Sequence, residues 1–210
     1  MPGLFVTFEG GEGTGKSTQA RRLRERLSQA GHEAVLTREP GGSDGAEELR
    51  ALLVTGEPGR WSAEAEALLN YAARDSHLRE TIIPALTRGA SVICDRFIDS
   101  TRVYQGIAGG CDMVLIDSLE RHIVGQYRPQ LTLVLDVNPD VGLARARRRE
   151  SKGEDRFEKK SAAYHQRLRG GFLAIAEADT ARCRVINTER PADAVAADIW
   201  AAVEPLLGTR

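Results

Sequence analysis

Eight consecutive residues, Gly10-Gly11-Glu12-Gly13-Thr14-Gly15-Lys16-Ser17, have the types and spacing needed to hold a chain of phosphates. Glycines let successive backbone N–H groups turn toward one centre and cradle anionic oxygens. A helix opening at the end of such a loop adds partial positive charge. Lys16 can reach the outer phosphates of a triphosphate, the Ser17 hydroxyl is a ligand type for Mg²⁺, and Thr18 follows near an inner phosphate. Gly10, Gly15, Lys16 and Ser17 satisfy G-x-x-x-x-G-K-[ST], with an apolar run before and a helical pattern after, as that pattern requires. By itself it names nucleotide chemistry and leaves kinase, GTPase and motor ATPase open. The N-K-x-D-like motif of a GTPase is missing, since the nearest stretch is Asn187-Thr188-Glu189-Arg190. A motor ATPase needs a longer chain, whereas a small-molecule kinase fits this length.

A kinase needs a second anion site for its acceptor. Arg38, in Thr37-Arg38-Glu39-Pro40-Gly41-Gly42-Ser43, can grip a phosphate with two parallel bonds. Val92-Ile93-Cys94-Asp95 is an apolar run ending in a carboxylate, a common way to present an oxygen to Mg²⁺ or its waters. Arg96 beside it can stabilise charge on the group in transfer. Either feature alone would suit a solvated turn; together they suit a phosphoryl-transfer site.

These residues need a scaffold that brings strand ends together, and the hydrophobic pattern supplies one. Strands are expected at Leu4 to Glu9, Glu33 to Arg38, Ala90 to Asp95, Leu131 to Val137 and Arg184 to Asn187. Helices are expected at Lys16 to Ala30, Ala46 to Leu53, Ala63 to Arg79, Thr81 to Arg88, Pro139 to Arg149, Ser161 to Ala178 and Pro191 to Leu207. Alternating strands and helices imply a five-stranded parallel sheet in a three-layer α/β/α fold of the P-loop NTPase type. Ligands of such sheets bind beyond the carboxyl ends of the strands, where Gly10, Arg38, Asp95 and Thr188 lie. The whole chain, 1–210, reads as one domain.

The bulk composition agrees. Hydrophobic residues make up 41% of the chain and charged residues 28%, with a formal net charge of -1. Such a chain is no general polyanion binder, so no nucleic-acid partner is expected. No apolar stretch approaches the ~20 residues of a membrane span, and Met1 to Val6 lacks the basic region of a signal peptide. Cys94, Cys111 and Cys183 form neither a metal-binding pair nor a disulfide framework, which suits free thiols in a reducing cytoplasm.

Several longer motifs occur in order: Glu9-Gly10 with the phosphate loop, Arg38-Glu39-Pro40-Gly41-Gly42, Tyr71-Ala72-Ala73-Arg74, Asp95-Arg96-Phe97, and Ser100-Thr101-Arg102-Val103-Tyr104-Gln105-Gly106. Leu135-Asp136-Val137-Asn138-Pro139 and Gly142-Leu143-Ala144-Arg145-Ala146-Arg147 continue the series. Over roughly residues 4 to 190 the chain resembles the thymidylate kinases. The resemblance implies Mg²⁺-dependent transfer of the γ-phosphoryl of ATP to thymidine monophosphate, by a homodimer with Ala63 to Arg79 as a candidate interface, although the side-chain pattern of that helix would equally suit a core helix. It implies that Arg38, beside Pro40, holds the acceptor phosphate, that Arg74 bonds the thymine edge, and that Asp95 and Arg96 sit between the two phosphates. Ser100, Thr101, Tyr104 and Gln105 would line the nucleoside pocket, with Tyr104 crowding the sugar 2′ position. Glu12 would approach the sugar 3′-OH or the metal network. Arg145 would pack near adenine, and the turn at Thr188 would close the adenine pocket through backbone contacts.

One position departs from the family. An aromatic side chain usually stands one helical turn before the base-reading arginine, but here Asn70 does, with Tyr71 next to it. Residues 70 and 74 share a helix face, while 71 points about 100° away. Either Tyr71 swings in, or another group covers the base; one lost stacking contact costs on the order of 1 kcal/mol.

Eight basic residues, Arg145, Arg147, Arg148, Arg149, Lys152, Arg156, Lys159 and Lys160, are interleaved with Glu150, Glu154, Asp155 and Glu158. A solvated loop, a nucleic-acid patch and a lid over the phosphates all fit such a run; the acids and the single aromatic, Phe157, argue against the second. In the resembling family the charge-neutralising arginine comes either from the phosphate loop or from the lid. No arginine occurs from Gly11 to Thr14, so a mobile lid at roughly 145–160 is expected to supply it, with Arg149 and Arg156 foremost and Arg147 and Arg148 close behind. Two rivals remain: a deoxynucleoside kinase using Glu9 or Glu12 as base, and a non-catalytic nucleotide switch.

Overall fold

The computed structural model describes residues 3–57, 59–148 and 160–207. The central sheet is parallel, in the order β2 (Ala34–Arg38), β3 (Ser91–Asp95), β1 (Phe5–Glu9), β4 (Leu131–Asp136), β5 (Cys183–Asn187). Along β1 the side chains alternate between faces, as the pleat demands. Phe5 joins one apolar layer, with Phe97, Tyr71, Leu78 and Ile116. Val6 and Phe8 join another, with Leu23, Leu27, Leu133 and Ile199. Phe5 and Phe8 are fully buried, each worth about 2 kcal/mol relative to exposure. β1 pairs with β3 on one side and β4 on the other, so its carboxyl end opens where connections leave in opposite directions, the usual ligand site of such sheets.

The helices are α1 (Lys16–Gln29), α2 (Asp44–Val54), α3 (Ala63–His77), α4 (Ile83–Thr87), α5 (Ile98–Thr101), α6 (Met113–Ile123), α7 (Pro139–Arg147), α8 (Ala162–Ala178) and α9 (Ala192–Val203). The five expected strands are present within a residue of their expected ends. Two expectations need correction. The pieces expected at 63–79 and 81–88 form one continuous rod, because a π-helical turn at Leu78–Ile82 joins α3 to α4. The stretch between Asp95 and Leu131, for which no element is expected, holds α5, a second π-helical turn at Arg102–Ile107, and α6. The signal for α6 was available: Asp112 caps the Val114 N–H, and Met113, Ile116, Leu119 and Ile123 recur at helical spacing. Among the described residues no helix is long and apolar enough to cross a membrane.

Candidate active site

The phosphate loop depends on backbone angles that only glycine adopts easily. Gly10, Gly13 and Gly15 have φ of 131°, 67° and 91°, and Gly15 is the N-cap from which α1 begins at Lys16. A Cβ on Gly10 would collide with the Leu135 carbonyl, and one on Gly13 with that of Gly142. Lys16 folds back over the loop: Nζ donates to Gly11 O at 2.7 Å, Gly10 O at 3.1 Å and Thr14 Oγ1 at 3.3 Å. Burial, with Arg96 nearby, pulls the Lys16 ammonium down to about 8, against the pull of Asp95, Glu12 and Glu9. The Ser17 hydroxyl donates to Asp95 Oδ2 at 2.5 Å, bringing β3 against the loop. A hydroxyl and a carboxylate side by side are hard oxygen donors that fit Mg²⁺ bound together with phosphates. Thr18 is exposed on α1.

Arg96 sits at the centre. It has φ of 72°, the sole positive value for a non-glycine among the described residues. Its guanidinium donates to Gly10 O and to Glu12 Oε1 at 3.0 Å each and to Ser100 Oγ at 3.3 Å, and lies 4.9 Å from the Tyr104 ring centre. Glu12 also accepts from the Tyr104 hydroxyl at 2.7 Å. Burial would raise the acid of Glu12, but Arg96, Lys16 and that hydroxyl outweigh it and hold the acid down at about 2.

Two clefts meet here. One is lined by Glu12 to Ser17, Arg38, Glu39, Arg50, Asp95 and Arg96. The other, of about 150 Å³, is lined by Glu12, Glu39, Pro40, Arg50, Leu53, Val54, Asn70, Arg74, Arg96, Phe97, Ser100, Thr101, Tyr104 and Gln105. Glu12, Glu39, Arg50 and Arg96 belong to both. Arg38 is half exposed, held by Glu47 at 3.1 Å. Gln105 donates to Glu66 at 2.9 Å, and Asn70 Nδ2 donates to the carbonyl of Glu66 on its own helix at 2.8 Å.

The structure therefore gathers most of the expected residues around one junction. Tyr71 stays apart: it is buried in the core behind Arg74, its ring centre 4.5 Å from that guanidinium, and does not line the cavity. Arg145 and Thr188 meet at the carboxyl end of β5, where both terminal nitrogens of Arg145 donate to the Thr188 carbonyl at 3.2 and 3.3 Å. Arg149 and Arg156, with most of the expected lid, lie outside the described residues. Sequence reasoning missed Arg50, which borders both clefts and donates to Pro40 O at 2.7 Å; nothing in its local pattern distinguishes it from a solvated helix arginine. It also missed Gly142, which packs against the phosphate loop.

A triphosphate cradle that opens across a shared wall onto a second cationic cavity is the arrangement of a P-loop kinase with a small phosphorylated acceptor, and this fold and site define that class. The sequence matches the family model described as Thymidylate kinase over residues 8–199. A thymidylate kinase from Caulobacter vibrioides is 53% identical over 206 residues, 98% of this chain and 98% of its own. Another, from Ruegeria pomeroyi, is 54% identical over 197 residues, 94% of this chain and 92% of its own. The crystal structure of thymidylate kinase from Ehrlichia chaffeensis matches with a TM-score of 0.79 at 32% identity, covering 97% of this chain and 100% of that one. The chain belongs to the thymidylate kinase family.

Proposed function

We propose that the protein transfers the γ-phosphoryl group of ATP to thymidine monophosphate, giving thymidine diphosphate. The observation that carries this reading is the shared wall: Glu12, Glu39, Arg50 and Arg96 border both the phosphate cleft and the acceptor cavity. Two anionic groups seated in these clefts meet at Arg96. The acceptor phosphate is already ionised, so the reaction needs no general base, and catalysis consists of positioning and charge neutralisation. Lys16 leaves its carbonyl partners for the outer phosphates. Arg38 and Arg50 take the acceptor phosphate, and the Glu12–Tyr104 pair sets the sugar side. Arg145 and the Thr188 turn border adenine, and Thr18 an inner phosphate. Ser17 and Asp95 would hold Mg²⁺, which supplies charge neutralisation on the phosphates. The phosphate loop carries no arginine, so Arg149 and Arg156 of a lid complete the cationic set. A homodimer through α3, which exposes Leu68, and a cytoplasmic location complete the reading.

A coupled assay of ATP consumption over a panel of nucleosides and monophosphates tests it. Thymidine monophosphate should be the preferred acceptor. Preference for unphosphorylated thymidine would favour a nucleoside kinase, and binding of ATP with no acceptor a switch. Lys16→Met should lower kcat about 10³-fold with an unchanged melting temperature; near-normal turnover would remove Lys16 from the mechanism.

A further inference from the structure

A line of hydrogen-bonded side chains runs behind Arg74, from β2 to the acceptor cavity. Thr37 Oγ1 lies 2.7 Å from His77 Nε2, and His77 Nδ1 lies 2.9 Å from Glu39 Oε1. Arg74 Nε donates to Glu39 Oε2 at 2.8 Å, and its Nη2 donates to Phe97 O and to Thr101 Oγ1 at 3.1 Å each. His77 and Arg74 are 0% and 1% exposed. A carboxylate has no proton to offer, so Nδ1 of His77 carries the hydrogen; in the neutral ring Nε2 then accepts from the Thr37 hydroxyl. The ring cannot slide, because the Gly42 backbone packs so closely that a Cβ there would collide with Nε2 and with Thr37 Oγ1.

The guanidinium is a rigid planar fork, so fixing two of its nitrogens fixes the third. That third nitrogen, Nη1, is buried, has no hydrogen-bond partner among the described residues, and belongs to a side chain on the wall of the acceptor cavity. A buried donor without an acceptor is costly, and a ligand oxygen that reached Nη1 from the cavity would relieve that cost.

We propose that His77 is a positioning residue for base selection: by holding Glu39 it orients Arg74 so that Nη1 meets a carbonyl oxygen at the pyrimidine 4-position and rejects a 4-amino group. The inference rests on the reading of this cavity as the site of a pyrimidine nucleoside monophosphate. A 4-amino group would set donor against donor and leave both unpaired, the kind of mismatch that polar sites reject most strongly. A ring that merely filled the core would lack this consequence for selectivity.

Two substitutions separate the roles of the ring nitrogens. His77→Asn keeps an amide N–H near the place of Nδ1, facing Glu39, and abandons Thr37. His77→Gln places its amide near Nε2, facing Thr37, and abandons Glu39. The measurement is the ratio of kcat/KM for thymidine monophosphate to that for deoxycytidine monophosphate. The Asn variant should stay within about threefold of wild type, whereas the Gln variant should lose about tenfold or more, with kcat for thymidine monophosphate changed by about threefold at most. If the Gln variant does not fold, His77→Phe, which also lacks the Glu39 donor, serves the same arm. Equal ratios in the two arms, or a larger loss with Asn, would overturn the proposal. A wild type inactive on every monophosphate would take down the functional reading and this inference together, whereas a wild type active on thymidine monophosphate with the variants in the wrong order takes down this inference alone.

Discussion

Glu9 is a buried acid that holds part of the site in place through its hydrogen bonds. It ends β1 with no exposed surface, and its carboxylate accepts from the Phe97 N–H at 2.8 Å, the Ser100 N–H at 3.2 Å and the Ser100 hydroxyl at 2.6 Å. It thereby pins the start of α5, immediately after the turn that carries Arg96. Burial, then the nearby Asp99, push its acid up to about 7, against the Ser100 hydroxyl, Arg96 and the Phe97 N–H. Because the folded value lies above the unfolded 4.5, folding takes up a proton between the two. The resulting stability is fully present below about 4.5 and is lost as pH rises through about 7. Glu9→Gln removes that linkage. The urea midpoint of the wild type should therefore fall relative to the variant's between pH 5 and pH 8; a gap independent of pH would mean that Glu9 does not titrate in that window.

At the scale of elements, the phosphate loop is held from behind by α7. Asn138 caps that helix through the Asp140 N–H at 3.0 Å, and Pro139 opens it with a preset φ. Gly142 on its first turns lies against the loop so closely that a Cβ would collide with the Glu12 carbonyl. Helix propensity favours Gly142→Ala by about 1 kcal/mol, but the obstacle is backbone, which no rotamer change relieves. The substitution should cost about 1–3 kcal/mol net and displace Glu12. A melting temperature at or above wild type with unchanged kcat would show that the loop yields freely. The sequence carried the outline of this region: an apolar strand, glycines and a lysine before a helix leave few alternatives. It did not carry the Gly142 contact, because a glycine in a helix also reads as a weak helix former. The stretch from Arg96 to Gly110 was harder still. α5 has four residues, and the π-helical turn after it breaks the 3.6-residue period on which helix recognition relies. Tyr104 and Gln105 stand on that turn, so the motif was legible while the geometry that aims it was not.

Across the whole molecule, one ion pair ties the two sides of the sheet together beneath the site. Arg182, just before β5, donates to Asp99 on α5 at 2.6 and 3.0 Å, to Thr132 Oγ1 at 2.6 Å and to Asp179 at 2.9 Å. Thr132 in turn meets Thr7 at 2.9 Å, its register partner across β1 and β4. Asp99 is 1% exposed, so its charge has almost no access to water. Arg182→Met would strand that carboxylate and should cost about 3–5 kcal/mol, read from urea unfolding. Adding Asp99→Leu to the Met variant removes the stranded charge and should recover a large part of the loss, because desolvation, rather than the attraction within the pair, sets most of the cost. A double variant no more stable than Arg182→Met would instead assign the energy to the specific geometry by which Arg182 bridges Asp99, Thr132 and Asp179. In either case α5, and with it Ser100 and the turn bearing Arg96, is anchored from the far edge of the sheet, so stability measured at Arg182 bears on Ser100 and Arg96, more than eighty positions earlier in the chain.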